Sequence, residues 1–330
     1  MNSDVAYFLK TNIKDLSDDQ VKKISILTAY NINVVIKDQD FTKKELAKLY
    51  SLWGQNPKRK LWYEDKENHE VMYVTNKHKI GKEKKQGVFA NGELGWHCDG
   101  ALALDPEDCI ALYCRQPTKD PCNTIFSNGV LAYKTLPKDV KEQIKDTFLI
   151  LGYGERNFQK LKLDYLVKTK IQPRLLSNTI PYEVDNGKVS LEEHREMLAV
   201  SSRARSKNSS VVKEMLHLKS RFSDPKGLWN CVYKKLVHRH RLTGVEGLYF
   251  PFTNAVGFNN VPKDEWQELC AFLESHYLKH TYSHLWEEGD IVVFDQTQGL
   301  HRRDNIPVDE NNIPQERELW RGAFWYDGIV

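Results

Sequence analysis

The sequence predicts a mainly β protein with flanking helices, in which a sandwich or jelly-roll core is favoured over a parallel, doubly wound sheet. Short runs of apolar and β-branched residues recur along the chain, whereas helical patterns are few and widely separated. A parallel sheet would instead alternate strands with helices. Neither a G-x-G-x-x-G nor a Walker A motif is present, which argues against the common nucleotide-binding folds.

Two helices are predicted near the N-terminus from their capping residues. Ser17 is followed by Gln20, and Thr42 by Glu45, and apolar residues at helical spacing come next in both segments. A hydroxyl residue with Glu or Gln three positions later is the pattern of a capping box. Gly54 is typical of the end of the second helix.

The remaining elements are predicted from apolar runs that are bounded by turn residues. Strands are expected at residues 32–38, 70–76, 109–114, 123–128, 246–252, 290–296 and 321–327. Two further helices, each with a proline at its start, are expected at residues 137–148 and 262–278.

The chain is predicted to form a single domain, residues 1–330, with an insertion at residues 150–235. The periodic pattern is lost in that stretch, and its polar, basic segment SRARSKNSS (202–210) is typical of a surface. Because long segments without a clear pattern are often functional, we expect the insertion to act as a lid over a pocket.

Composition excludes several classes of protein. The 48 basic and 45 acidic residues give a net charge of +3, which is too small to indicate a nucleic-acid or membrane surface. The six cysteines form no C-x-x-C pair, so we expect free thiols in a reducing compartment. No signal peptide and no apolar stretch of about 18 residues is visible. We therefore expect a cytoplasmic protein, and a homo-oligomer stays open.

A possible pair of metal ligands occurs in the segment GELGWHCDGAL. His97 and Asp99 are two residues apart in a stretch that has the pattern of a strand. Side chains at i and i+2 of a strand point to the same side, so the imidazole and the carboxylate project together and Cys98 points away. The triplet alone is a weak signal, because such pairs arise by chance.

A third candidate ligand follows a late apolar strand. His301 comes shortly after the run DIVVF, and it completes a set of two imidazoles and one carboxylate. That set binds non-haem Fe(II) on one face and leaves open coordination positions. Arg317 and Arg321 follow in RELWRGAF, and a fixed guanidinium is a natural partner for a carboxylate.

These motifs, taken in order, resemble the taurine dioxygenase family of Fe(II)/2-oxoglutarate-dependent oxygenases. The resemblance is carried by INVVIKDQDFTKKELAKLYSLWG, WHCDGAL, CIALYCRQPTKDPCNTIFSNGVLAYKTLP, LVHRHRLTGVEGLYF, FDQTQGLHRRD and RELWRGAF. It implies a double-stranded β-helix (jelly-roll) fold. It also implies that His97, Asp99 and His301 bind iron, and that 2-oxoglutarate and O2 are used.

The resemblance further implies roles for three polar residues. Thr124 matches the family's threonine that hydrogen-bonds 2-oxoglutarate, although PCNT replaces the usual Gly-Gly-Asp-Thr turn. Arg317 matches the arginine that pairs with the distal carboxylate of that cosubstrate, and Arg321 matches the arginine that binds the substrate's anionic group. The roles of the two arginines are interchangeable at this level, so both are candidate cosubstrate residues.

Five residues are predicted to contact the substrate. Glu93 lies four residues before His97, where the taurine enzyme has a neutral side chain, and its carboxylate suggests a cationic group on the substrate. Together with Arg321 it would suit an amino acid or an amino-acid derivative. Trp96, Tyr249 and Phe252 are expected to line the apolar part of the pocket.

The predicted activity is oxidation of a C–H bond of a small polar molecule, with hydroxylation favoured. Desaturation and oxidative cyclisation stay open, whereas halogenation is disfavoured because Asp99 occupies the position that chloride would need. One alternative is an oxygenase for a sulfonate or another small anion. Another is a non-catalytic, metal-binding jelly-roll module. A nucleic-acid-modifying oxygenase would rest only on the basic segments 77–87 and 202–210.

Overall fold

Two facing β-sheets, covered by helices on their outer sides, form the computed structural model of the chain. The structure describes residues 4–57, 64–77, 92–101, 106–151, 232–258 and 261–329. The predicted mainly β class with flanking helices is confirmed.

The larger sheet has six strands and contains both early and late segments of the chain. Its strands, in spatial order, are β1 (Tyr7–Leu9), β2 (Asn33–Ile36), β13 (Ile291–Asp295), β5 (Cys109–Gln116), β15 (Glu318–Phe324) and β3 (Met72–Thr75). β1 and β2 are parallel, and the other neighbours are antiparallel. Such interleaving of distant segments is typical of a jelly-roll.

The smaller sheet has four antiparallel strands and carries most of the polar residues considered below. In spatial order they are β12 (Thr281–His284), β6 (Thr124–Ser127), β14 (His301–Arg303) and β4 (Leu94–His97). Five more strands form two small sheets: β7 (Phe148–Leu151), β8 (Val232–Lys235), β9 (Val237–Arg239), β10 (Glu246–Leu248) and β11 (Ala255–Phe258).

Alternation along the strands separates two hydrophobic clusters on the larger sheet. Val292 and Phe294 of β13 point between the two sheets, whereas Ile291 and Val293 point to the outer side and join the helix-covered cluster. Phe126 from the smaller sheet meets Phe294 with ring centroids 5.0 Å apart. The space between the sheets is therefore a packed apolar core, as the period-two pattern requires.

Helices α1 (Asp18–Asn31) and α2 (Lys43–Trp53) cover the outer side of the larger sheet, and both predicted capping boxes are present. Gly54 follows α2, as predicted. The approach of α2 is close at Gly322 of β15, where a Cβ atom would overlap the ring of Tyr50. Only glycine permits this contact.

Three more helices pack beside the smaller sheet. They are α3 (Gly129–Thr135), α4 (Lys138–Ile144) and α5 (Trp266–Tyr277), and a 3-10 turn, Lys263–Glu265, leads into α5. α4 ends before residue 148, where the prediction placed its end, because Phe148 begins β7 and pairs with Lys235 of β8.

Two strands differ from the prediction by three or more residues at one end or at both. β10 ends at Leu248 rather than at residue 252, consistent with Pro251, which cannot donate to a strand ladder. β15 begins at Glu318, before the predicted start at residue 321, and its pairing with β5 shifts register between Glu318 and Leu319. This irregularity affects the two neighbouring arginines.

Most of the predicted insertion and of the basic loop at residues 77–87 lie outside the described residues. No helix within the described residues is long and apolar enough to span a bilayer. The five cysteines that the structure describes are buried, and none of them is in a disulfide bond.

Candidate metal centre

Strand pairing brings the three predicted metal ligands together. His97 ends β4 and His301 begins β14, and the two residues are direct partners in the antiparallel ladder. Their ring centroids are 4.2 Å apart. Asp99 follows two residues after His97, and its Oδ1 atom lies 3.6 Å from Nε2 of His97 and 4.0 Å from Nε2 of His301. The candidate ligand atoms all lie within 4.8 Å of one another.

Both imidazoles present Nε2 to the centre of this cluster. The Nδ1 atom of His97 is 2.6 Å from the carbonyl oxygen of Gly95, so Nδ1 carries the proton and Nε2 keeps a free lone pair. His301 packs against Phe126 and Phe294. Burial, together with the nearby His97, lowers the pKa of His301 to about 3. His301 is therefore neutral at physiological pH, as a metal ligand must be.

Asp99 is held by Arg321. The Nε and Nη2 atoms of Arg321 lie 3.0 and 2.8 Å from Oδ2 of Asp99, so Oδ1 is left to face the two histidines. Burial alone would raise the pKa of Asp99, but the charge of Arg321 and its hydrogen bond to the carboxylate outweigh burial and lower the pKa. The carboxylate is therefore ionised.

Two imidazole nitrogens and one carboxylate oxygen on one side of a point match the facial ligand set of non-haem Fe(II). The donor types and the free lone pairs both fit such a metal. Within the described part of the chain, no other group of three or more His, Cys, Asp or Glu residues comes together in this way.

The backbone around the ligands is fixed by the connection between β13 and β14. The side-chain oxygen of Gln296 accepts a hydrogen bond from the backbone N–H of Asp99 at 2.8 Å. Asp295, which is fully buried, accepts hydrogen bonds from His240 and from the hydroxyl of Tyr326 at 2.8 and 2.7 Å. These contacts position the turn that ends at His301.

A buried cationic site lies beside the triad. Arg317 is 3% exposed, and its Nη2 atom donates to Oγ1 of Thr124 at 3.1 Å. Trp286 donates its indole N–H to the same oxygen at 2.8 Å. Among the described residues, no carboxylate forms an ion pair with Arg317. Burial lowers the pKa of the Arg317 guanidinium. A buried, uncompensated guanidinium indicates an anionic ligand.

A second buried arginine strengthens the positive charge there. Arg303 of β14 is the direct ladder partner of Thr124, and it is 5% exposed. Burial, together with the charge of Arg317, lowers the pKa of Arg303 to about 10. The two cations are thus near neighbours in a region of low dielectric constant.

The structure separates the two arginines that the sequence left interchangeable. Arg317 precedes β15 and contacts Thr124, whereas Arg321 lies within β15 and contacts Asp99. The register shift after Glu318 allows residues four apart to reach these different places.

Of the five predicted substrate residues, Arg321 contacts the triad through Asp99, and the other four make their described contacts elsewhere. Glu93 is exposed and pairs with Arg302 at 2.7 Å. Trp96, Tyr249 and Phe252 belong to the cluster on the outer side of the smaller sheet, because neighbouring strand residues point to opposite faces and Trp96 precedes His97. This placement does not support the prediction that these three aromatic residues line the pocket.

Three site residues escaped the sequence-based prediction. Arg303 could have been found, since it is two residues after His301 and shares its strand face. Gln296 lies in a turn, where no periodicity applies. Trp286 lies between β12 and β13, and nothing local distinguishes it from the other tryptophans.

Comparison with known proteins identifies one family model. The model for the taurine catabolism dioxygenase TauD, TfdA family matches residues 8–323. A curated relative, pentalenolactone F synthase from Streptomyces arenae, is 29% identical over 83 residues. That match covers 24% of this chain and 28% of the relative, so this chain aligns with less than a third of that protein.

Solved structures share the fold at low sequence identity. A taurine dioxygenase from Burkholderia xenovorans is 15% identical, with a TM-score of 0.60 and coverage of 96% of this chain and 85% of that one. AAD-2, solved with Mn(II) and N-oxalylglycine, is 17% identical, with a TM-score of 0.61 and coverage of 98% and 95%. These similarities confirm the predicted jelly-roll fold.

Proposed function

Because the chain belongs to the taurine catabolism dioxygenase TauD, TfdA family, whose members are Fe(II)/2-oxoglutarate-dependent oxidoreductases, we propose that it uses Fe(II), 2-oxoglutarate and O2 to oxidise a C–H bond. The proposed metal ligands are His97, Asp99 and His301. Hydroxylation is the proposed outcome, and desaturation or oxidative cyclisation would use the same site.

One observation carries this proposal. β14 begins with the metal-ligand candidate His301 and ends with Arg303, which is opposite Thr124 in the ladder. Two residues along a strand span about 7 Å. The triad and the buried cations of Arg303 and Arg317 are therefore spaced for a five-carbon 2-oxo acid, with its oxo-acid end on the metal and its distal carboxylate at Thr124.

Each residue has a defined task in this arrangement. Bound Fe(II) supplies the reaction with O2. His97 and His301 bind the metal through Nε2, and Arg321 orients Asp99 so that one oxygen is available. Arg317 and Thr124 donate hydrogen bonds to the distal carboxylate.

We propose a small polar substrate, an amino acid or an amino-acid derivative. Its carboxylate would match the remaining N–H groups of Arg321, which keeps its contacts with Asp99 through Nε and Nη2. Its ammonium group would match Glu93, once that carboxylate exchanges its partner Arg302. The exposed position of Glu93 makes the exchange with Arg302 inexpensive, because a surface ion pair contributes only about 0–1 kcal/mol.

The experiment is a screen for succinate formation. Purified protein is supplied with Fe(II), 2-oxoglutarate and O2, with and without a panel of amino acids and their N-acyl and hydroxylated derivatives. We expect succinate to form above the metal-free background, and at least one panel member to accelerate it. His301→Ala should abolish the reaction, and His69→Ala, which replaces an exposed histidine, should not. Equal activity in His301→Ala would refute the proposal.

A further inference from the structure

We propose that Trp286 is a positioning residue for the distal carboxylate of the 2-oxo acid. Its indole N–H fixes the direction in which the Thr124 hydroxyl donates, and its ring supports the Arg317 guanidinium. This inference rests on the proposed function, and it assigns a role to a residue that lies outside the metal-binding and arginine motifs.

The first step concerns the hydroxyl of Thr124. Its Oγ1 atom accepts one hydrogen bond from Trp286 at 2.8 Å and one from Arg317 at 3.1 Å. A hydroxyl has two acceptor positions and one donor hydrogen, so both acceptor positions are filled. Its hydrogen is then left to donate, and no residue that the structure describes accepts it. A carboxylate, which only accepts, is the matching ligand.

The second step concerns the guanidinium. Arg317 lies over the Trp286 ring, with Cζ 5.9 Å from the ring centroid. A cation at this distance is attracted by the face of the indole. One N–H group of Arg317 binds Thr124, and its other N–H groups have no partner among the described residues. The indole therefore holds the cation in place without neutralising its charge.

The third step is that Trp286 itself is held firmly. It is 4% exposed and packs in the core between the sheets. His284 meets its ring edge-on, with centroids 4.5 Å apart. Nε2 of His284 lies 3.1 Å from Oδ2 of Asp290, and Lys37 binds that same oxygen at 2.9 Å. The indole thus packs between Arg317 and His284, which pairs with Asp290.

A merely structural tryptophan would make a different prediction from a positioning one. Loss of packing would weaken the binding of every ligand and lower the free energy of unfolding. Loss of positioning at Thr124 and Arg317 would weaken only ligands that carry the distal carboxylate. The comparison of two 2-oxo acids separates the two roles.

The experiment measures binding to Mn(II)-loaded protein by calorimetry, so that no turnover is needed. The two ligands are 2-oxoglutarate and 2-oxovalerate, which has the same metal-binding end and no distal carboxylate. For Trp286→Phe we expect the Kd of 2-oxoglutarate to rise about tenfold, because one hydrogen bond is lost and the ring contact with Arg317 becomes weaker. The Kd of 2-oxovalerate should stay within about twofold, since the metal contacts are untouched.

Trp53→Phe is the matched control. Trp53 is also fully buried and donates its indole N–H to one backbone oxygen, at 3.0 Å, but it lies on the helix-covered side of the larger sheet. Its replacement should leave both Kd values unchanged. Replacement of the Trp286 indole by benzothiophene, which has a similar shape and no N–H, keeps the test valid where the phenylalanine variant does not fold.

The outcomes are distinct. The role of Trp286 is overturned if Trp286→Phe weakens the binding of both 2-oxo acids equally. It is also overturned if the benzothiophene variant binds 2-oxoglutarate as tightly as the unmodified protein does. Failure of the unmodified Mn(II)-loaded protein to bind 2-oxoglutarate at all would instead overturn the proposed function.

Discussion

At the scale of single residues, the clearest feature is that two arginines four residues apart contact different partners. Arg317 contacts Thr124 and has no described counter-ion, whereas Arg321 makes two contacts with Oδ2 of Asp99. We therefore expect Arg321 to affect metal binding by orienting the Asp99 carboxylate. We expect Arg317, which is buried beside a hydroxyl, to bind an external anion.

The same substitution at the two arginines should therefore weaken the binding of different ligands. Arg317→Gln should raise the Kd of 2-oxoglutarate about 10- to 150-fold, since a hydrogen bond to a charged group contributes about 1.5–3 kcal/mol. It should leave Mn(II) affinity unchanged. Arg321→Gln should lower Mn(II) affinity about 10- to 100-fold, because Asp99 loses its orientation. Calorimetric titration of metal, then of cosubstrate, measures both effects.

Arg115→Gln provides the control, since Arg115 is exposed and pairs with Glu288 on the surface. It should change neither affinity. A loss of metal affinity in Arg317→Gln, without one in Arg321→Gln, would show that the two roles are reversed.

The residues of the candidate metal centre could be selected from local spacing, whereas the apolar lining of the pocket stays a prediction. The i, i+2 spacing of His97 and Asp99 and the late position of His301 are local signals, and the structure brings all three together. Trp96 is next to His97 in β4 and packs in the cluster on the other side of the smaller sheet. Tyr249 and Phe252 could not be placed, because the side of the smaller sheet on which they pack depends on distant strand pairing.

At the scale of elements, the connection from β13 to β14 determines the position of His301. Oδ1 of Asp295 accepts hydrogen bonds from the N–H and hydroxyl of Thr297 and from the N–H of Gln298, at 2.8, 2.6 and 3.1 Å. Burial would raise the pKa of Asp295, but the charge of His240 and these hydrogen bonds lower it. The turn is thus built around one buried carboxylate.

Asp295→Asn should destabilise the protein and also weaken metal binding. We expect a loss of about 3 kcal/mol in the free energy of unfolding at pH 7, because a buried charged network loses one partner. A carboxyl group with a lowered pKa contributes stability above its unfolded pKa of about 3.9, and the contribution is lost as the pH falls through the folded value. The difference from the unmodified protein should therefore shrink below about pH 4.

Urea unfolding between pH 3 and pH 7 measures this difference, with exposed Asp264→Asn as the control that should change nothing. A difference that is independent of pH would mean that packing, rather than the charge of Asp295, holds the turn.

Element type was predictable where the signal was local. The capping boxes at Ser17 and Thr42 form within one helical turn, and both are present. Strand ends were less accessible, because they depend on pairing. β15 begins at Glu318 since residues 318–321 pair with β3, a contact that no local pattern reveals.

At the scale of the whole molecule, the candidate site exists because the two sheets interleave distant segments. β4 and β14 are neighbours although they lie far apart in sequence, and Arg317 reaches Thr124 from the other sheet. Periodicity in the sequence indicated a sandwich or jelly-roll, but only the family resemblance implied which strands pair. The fold is shared at 15–17% identity with solved structures of the same architecture.

An anaerobic spectrum of the apo-protein, loaded with Fe(II) and then with 2-oxoglutarate, tests the proposed iron site most directly. A visible metal-to-ligand charge-transfer band should appear on addition of the cosubstrate, because its oxo-acid end would chelate iron held by the proposed ligands His97, Asp99 and His301. The band should be absent in His97→Ala and present in His69→Ala. No band in the unmodified protein, or an equal band in His97→Ala, would contradict the assignment of the triad as the iron site.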